Sequence, residues 1–209
     1  MRNHIIALLF WVAAIGLSLW AYPHLPDQVA THWGPSGEAN GYSSRGFAIL
    51  FGPGMMLLMY VMLRVLPKLD PKRNNYPRFQ SSLDVVILAT LLLLLIVHGV
   101  VVFNGLGYDV PVSMVVPLVI GGLYVVMGNV MPRFKHNYFV GIRTPWTLAN
   151  ERVWTRTHMV GGKVFVIGGL LVMASALIPN SVMVPVMVTL LVAIPLSILL
   201  LSYYYYKHP

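Results

Sequence analysis

Two stretches of the chain hold the residue types that could do chemistry. His24, Asp27, His32 and Glu38 fall in PHLPDQVATHWGPSGEANGYSSRG, residues 23–46, and imidazole with carboxylate suits zinc. Their spacings match no compact ligand motif, so His24, His32 and Glu38 stand as candidate metal ligands against a plainer reading. That reading is a turn-rich cap whose histidines bond to backbone. The second stretch, residues 132–162, reads PRFKHNYFVGIRTPWTLANERVWTRTHMVGG. Its Arg143 and His158, with Asn137, could hold a phosphate, and Glu151 could serve as a base. No two of these stand at a recognised catalytic spacing, and the chain carries no H-E-x-x-H, no G-x-S-x-G and no Gly-rich phosphate loop. The absence of cysteine removes disulfides and thiolate metal sites. No cofactor is called for.

The elements that must position these residues differ between the stretches. In 23–46, Pro and Gly punctuate turns, and Trp33 and Tyr42 are expected to pack down on the membrane interface. In 132–162, Thr144 before Pro145 predicts a helix start, a capping hydroxyl followed by the residue that suits the first helical position. Trp146, Asn150, Trp154 and His158 then fall four apart, one narrow stripe if the helix runs to Met159. Arg152 and Arg156 form a second, cationic row. Such a helix would lie at the membrane surface, tryptophans toward the lipid boundary or the bundle and arginines toward lipid phosphates or a partner. Gly141 permits a turn, and Arg143 could pair with Glu151. A plain interfacial helix and a partner-binding surface are both compatible with this pattern.

Around the two stretches the chain is apolar. Of 209 residues, 57% are apolar and 10% charged, the composition of a polytopic membrane protein. A helix needs about 20 apolar residues to cross about 30 Å of hydrocarbon. Six runs qualify, at residues 5–22, 47–66, 83–103, 111–131, 160–178 and 182–206, which predicts an all-α six-helix bundle in one membrane domain over 1–209. Arg2 before the first run resembles the start of a signal peptide, but Leu19 and Trp20 make a poor cleavage site, so the run is read as a retained span. Trp11 and Trp20 read as span residues.

Charge sets the orientation. Thirteen Lys and Arg residues fall on the side of the termini and the 132–159 loop, and only Arg45 falls on the other. Cytoplasmic loops retain positive charge, so both termini and the 132–159 loop are expected in the cytoplasm, with 23–46 outside. Topology thus accounts for the net charge of +8, and no nucleic-acid partner is implied. Tyr203–Tyr206 before Lys207 reads as an aromatic belt.

Small residues mark packing. Gly161, Gly168 and Ser175 recur every seven residues, as do Gly162, Gly169 and Ala176, so the fifth span carries a double seam where a neighbouring backbone can approach. Pro53, Pro117, Pro185 and Pro195 should bend their helices or free carbonyls. Arg64, Asp84 and Lys163 sit at span ends where they can reach water. His98 is expected to be hydrogen-bonded within the bundle.

The segment 128–162, GNVMPRFKHNYFVGIRTPWTLANERVWTRTHMVGG, resembles the signature of the SdpI family, the membrane immunity proteins for the sporulation-delaying toxin and their bacterial relatives. LPDQVATHWGPSGEANGYSSR resembles a short domain of unknown function found between the first two spans of the same proteins. By position, Asn137, Gly141, Arg143, Thr144, Pro145, Trp146, Glu151, Trp154, Thr157, His158 and Gly162 match the inner motif. Thr31, His32, Trp33, Gly34 and Gly37 match the outer one. Ala30, Tyr42, Arg45 and Met159 depart from the residues usual at their positions, and Met159 replaces a common arginine on the face that would meet a partner.

The resemblance implies a bacterial cytoplasmic-membrane protein that protects its host against a membrane-acting peptide toxin. In the family's best-known member, it also implies a receptor that holds a cytosolic transcriptional repressor at the membrane. Stoichiometric binding, not turnover, is the expected mechanism: the outer loop, with His32, Trp33, Gly34, Gly37 and Glu38, captures the toxin, and the glycine seam relays occupancy to the inner loop. Two rivals stay open. One is an enzyme or transporter acting on a lipid head group or small solute through the polar loops. The other is a sensor that holds a cytosolic regulator through Arg152 and Arg156.

Overall fold

In lipid, a backbone can satisfy its amides internally only as a helix or a closed barrel, and charge-free runs of this length therefore become helices. The computed structural model describes residues 2–34 and 37–208; Pro35 and Ser36 of the 23–46 connection lie outside it. In chain order the elements are α1 (Arg2–Ala21), β1 (Gln28–Trp33), β2 (Ala39–Ser44), α2 (Arg45–Leu69), α3 (Gln80–Gly105), α4 (Val112–Val130), the short α5 (Pro145–Ala149), α6 (Glu151–Ser175) and α7 (Asn180–Lys207). All the helices but α5 are long and apolar enough to cross a membrane, giving six spans. Leu9, Leu50, Leu171 and Leu200 are each half or more exposed, as lipid-facing side chains must be.

The 23–46 connection, expected as a turn-rich cap, contains a short hairpin. Gln28–Trp33 and Ala39–Ser44 pair antiparallel, with register shifts on either side of His32. Arg45, the sole cation on this face, lies 3.7 Å from Asp27 and 5.0 Å from the Tyr22 ring.

A larger correction concerns the segment that begins at Thr144. No continuous helix runs to Met159. Asn150 adopts an extended conformation (φ −146°, ψ 120°), and its side chain accepts from the amides of Arg152 and Val153. It therefore ends α5 and caps α6, and Trp146 is separated from Trp154 and His158. The fifth membrane helix starts at Glu151, about two and a half turns before the apolar run itself begins.

The spans pack in two groups joined through α3, which meets α1, α2 and α4. In the first group Pro53 cannot donate to Ile49, and the freed carbonyl accepts instead from Ser18 Oγ at 2.8 Å. Ser18 also bonds His98 Nε2 at 2.9 Å, and Trp11 Nε1 donates to Pro53 O at 3.0 Å. In the second group α4 lies against the glycine seam of α6. A Cβ added at Gly128 would stand 2.5 Å from Gly162 O, and one at Gly169 would stand 2.6 Å from Gly121 O. The other row, Gly161 and Gly168, takes Ile142, Ile194 and Ile198.

Candidate functional site

The face bearing the termini, here the basic face, closes around buried polar groups. Asp70 is only 2% exposed, and its carboxylate accepts from Lys72 N (2.7 Å), Tyr76 Oη (2.7 Å) and Tyr138 N (2.8 Å). Burial first, and then the Asp70 carboxylate, push the Tyr76 hydroxyl above the ordinary phenol range. Asn137 is fully buried. Its Oδ1 accepts from Phe139 N and Val140 N, and its Nδ2 donates to Lys135 O and Val140 O. Asn75 Nδ2 donates to His136 O at 2.7 Å, so the 70–79 and 131–150 connections are tied to each other.

Beneath this clasp, Trp154 donates from Nε1 to Phe134 O at 2.8 Å and stacks on His158, centroids 4.1 Å apart. His158 Nε2 accepts from Ile142 N at 3.0 Å, which leaves Nδ1 to donate to Trp154 O at 2.8 Å. Both edges of a neutral imidazole are thus used. Gly141 passes directly over this ring with φ +105°, a conformation in which a side chain would be strained and its Cβ would collide with Nε2. Thr144 and Thr147 cap α5 reciprocally, Thr147 N donating to Thr144 Oγ1 and Thr144 N to Thr147 Oγ1, with Pro145 at the first turn.

Of the inner residues singled out in the sequence, Asn137, Gly141, Thr144, Trp154 and His158 come together in this knot. Arg143, Pro145, Glu151, Arg152 and Arg156 lie exposed on its rim. Arg143 does not pair with Glu151: its Nη1 donates to Tyr138 O at 3.0 Å, while Glu151 lies 3.8 Å from His136 and 3.9 Å from Lys72. Arg156 Nη1 reaches His208 O at 3.4 Å. Trp146 packs on Tyr203 with centroids 5.0 Å apart, and Gly162 belongs to the seam. Sequence reasoning missed Asp70, Tyr76, His136 and Thr147. The available signal was Asp70 itself, a lone acid in the basic run LDPKRNNYPR.

The opposite face, the hairpin face, is built from apolar gaps. Thr31, His32 and Trp33 of β1 stand at the mouths of crevices between membrane helices. One of about 360 Å³ lies between α4 and α7, lined by His32, Trp33, Gly34, Gly37, Pro117 and Met187 among others. A second, about 320 Å³, lies between α3 and α4 under Thr31 and Trp33, with Val97, Val116 and Ile120. The third, about 260 Å³, lies between α2 and α3, where Thr31 meets Phe51, Gly52 and His98. Thr31 Oγ1 and Ser43 Oγ are 3.0 Å apart across the strands, and His32 Nδ1 bonds Asn40 Oδ1. Gly37 has φ +85° and approaches Ser113 at the start of α4. Glu38 is exposed at the turn, its carbonyl accepting from Gly34 N.

The metal candidates do not converge. His24 Nδ1 faces Trp20 O at 3.1 Å, His32 faces Asn40, and no group of three or more His, Asp or Glu residues forms among the described residues.

Comparison with known proteins fits both faces. Residues 133–205, which contain most of the knot and α6 and α7, match the sequence profile of the SdpI/YfhL protein family. Residues 9–57, which contain the hairpin, match the domain of unknown function DUF1648. The chain is 27% identical to Immunity protein SdpI of Bacillus subtilis (strain 168) over 207 residues, 99% of this chain and 97% of that protein. No solved structure matches. With its six spans and these two matched segments, the chain is a multi-pass bacterial membrane protein that is similar to the SdpI/YfhL proteins.

Proposed function

We propose that this protein confers immunity on the cell that makes it by binding a membrane-active peptide toxin at the hairpin face. The relative named an immunity protein aligns over nearly the full length, which supports immunity as the biological role. The observation that carries the site is the position of β1: Thr31, His32 and Trp33 stand over three apolar crevices of about 260, 320 and 360 Å³. An amphipathic peptide approaching the bilayer could seat apolar side chains in these gaps and bond its polar side to His32, Asn40 and Thr31. Thirteen cations on the basic face against one on the hairpin face support an orientation with the hairpin outside the cytoplasm. Binding is stoichiometric. Of the groups that an enzyme would use on the basic face, His158 and Asn137 are occupied, since both ring nitrogens of the one and the amide of the other are bonded to backbone.

The test is survival. Expressed in a strain killed by a membrane-active peptide, the wild-type chain should protect, and His32→Ala/Trp33→Ala should insert normally and fail to protect. No protection by the wild type across several such peptides overturns the proposal.

A second reading, compatible with the first, is signalling to a cytosolic regulator. Arg143, Arg152 and Arg156 form an exposed cationic rim on the knot, the kind of surface an acidic protein face would meet. The seam offers a route to it, because α4 lines two of the crevices and runs to Met131 at the knot. A soluble protein recovered with the wild type and lost with Arg152→Ala/Arg156→Ala would support this reading, and its absence from wild-type pull-downs would remove it.

A further inference from the structure

A second cavity system lies between α1, α2 and α3 and reaches the edge of the knot at Tyr76. Between α1, α2 and α3, an apolar groove of about 350 Å³ is lined by Ala7, Leu8, Trp11, Met56, Leu57 and Leu91, with His4 and Tyr60 at its end. His4 and Tyr60 also line a larger recess of about 780 Å³ at the basic face, whose polar wall is Arg64, Lys68, Arg73, Gln80 and Asp84. The two therefore adjoin, one greasy and the other cationic. His4 Nδ1 and Tyr60 Oη, 2.6 Å apart, mark the junction.

Its charge is not balanced by the protein. Asp84 is saturated, accepting from Arg64 Nη1 (2.7 Å), Asn3 Nδ2 (2.8 Å) and Gln80 Nε2 (2.9 Å). Lys68 and Arg73 are exposed and have no side-chain hydrogen bond or ion pair among the described residues. Three cations against one carboxylate leave the recess at +2 with His4 neutral. The dimensions follow a lipid: Met56 and Arg64 lie eight residues apart on α2, about 12 Å along its axis, so the groove continues inward from the charged level as an acyl chain does.

We propose that this site holds one anionic phospholipid from the leaflet at the basic face, its phosphate between Lys68 and Arg73 and one acyl chain in the groove beside Trp11 and Leu57. The phosphodiester accepts charge-assisted hydrogen bonds from the two free cations. A zwitterionic lipid gains less, because its ammonium finds no free carboxylate in the recess: Asp84 is already spent on Arg64, Asn3 and Gln80. Each juxtamembrane cation is worth roughly 5-fold in affinity, so losing both should cost roughly 25-fold.

The test uses the full chain purified in a neutral detergent and titrated with phosphatidylglycerol, phosphatidylcholine or inorganic phosphate. Retained lipid is counted by native mass spectrometry, and thermal unfolding is followed in parallel. One phosphatidylglycerol should be retained and should raise the melting temperature, while phosphatidylcholine and inorganic phosphate do neither. Lys68→Ala/Arg73→Ala should weaken retention roughly 25-fold, Lys68→Arg/Arg73→Lys should restore it, and Arg133→Ala/Lys135→Ala, an equal charge loss elsewhere on the same face, should leave it unchanged. Because Lys68 and Arg73 are exposed and unbonded, the variants should keep the wild-type melting temperature without lipid. Equal retention of the two lipids overturns the proposal, as does equal loss in the Arg133/Lys135 variant. A phosphate effect as large as that of the lipid would do so too, since the groove would then play no part. Toxin protection is read separately, so failure here leaves the hairpin proposal standing.

Discussion

The two faces of the bundle meet the same requirement, polar chain at a membrane boundary, by opposite means. On the basic face the connections are closed by hydrogen bonds that reach far along the sequence: Asp70 to Tyr138, Asn75 to His136, Trp154 to Phe134. On the hairpin face the polar contacts are local, Thr31 with Ser43 and His32 with Asn40, and the space beneath is left as apolar gaps. A buried network of this kind fixes one arrangement of the chain, because each bond lost leaves a buried group unpaired. Unfilled apolar gaps forfeit packing and gain the capacity to accept something else. Rigidity is therefore concentrated in the knot of the 70–79 and 131–150 connections, while the chain of the hairpin stands over apolar vacancy; the recess beside Lys68 and Arg73 is the exception on the basic face.

Substitutions that treat the two tryptophans alike would break this contrast. Trp154→Ala should cost about 3–5 kcal/mol, because the ring is 1% exposed and carries a bond and a stack, and should sharply lower the melting temperature in detergent. Trp33→Ala, half-buried over open gaps, should shift melting far less while removing protection; equal shifts for the two would erase the distinction. Asp70→Asn should cost about 1.5–3 kcal/mol, since an amide cannot accept from all three donors that face the carboxylate, again read from thermal unfolding. Gly128→Ala is expected to cost about 1–3 kcal/mol by pushing α4 off the α6 backbone, and a neutral result would mean the helices slide freely at the seam. Thr144→Ala should remove about 1 kcal/mol with the cap.

A smaller effect follows from pH. The raised pKa of Tyr76 means the folded state holds this proton more tightly than the unfolded one. Its contribution is complete below the ordinary phenol value of about 10 and is lost as pH climbs beyond it. Wild-type melting should accordingly fall faster above that pH than melting of Tyr76→Phe, and parallel curves would remove the hydroxyl from the account.

Much of this organisation is legible in the sequence. Six apolar runs predict six spans, and the Thr144–Pro145 start and the seven-residue glycine spacing of α6 each correspond to a physical contact. The four-residue spacing from Trp146 to His158 misleads, because a period is only a face if the helix is unbroken. Asn150 followed by Glu151 is itself a start signal, a cap with an acid in the first turn, and it wins over the period. The hairpin is hidden for a different reason: the register shifts on either side of His32 destroy the alternation that would announce a strand. Asp70 illustrates the remaining limit. Its partner Tyr138 lies 68 residues away, and no local pattern encodes that meeting.

The missing amide proton at Pro53 has a wider bearing. One missing amide proton in the second helix is made good by a hydroxyl from the first, which is held in turn by an imidazole from the third. Withdrawing the second helix would strip Ser18 of its acceptor, and withdrawing the third would strip Ser18 of its imidazole. Three crossings of the bilayer are in this way pinned at a single point close under the crevices of the hairpin face, so that prying one apart from the others must work against all of them at once.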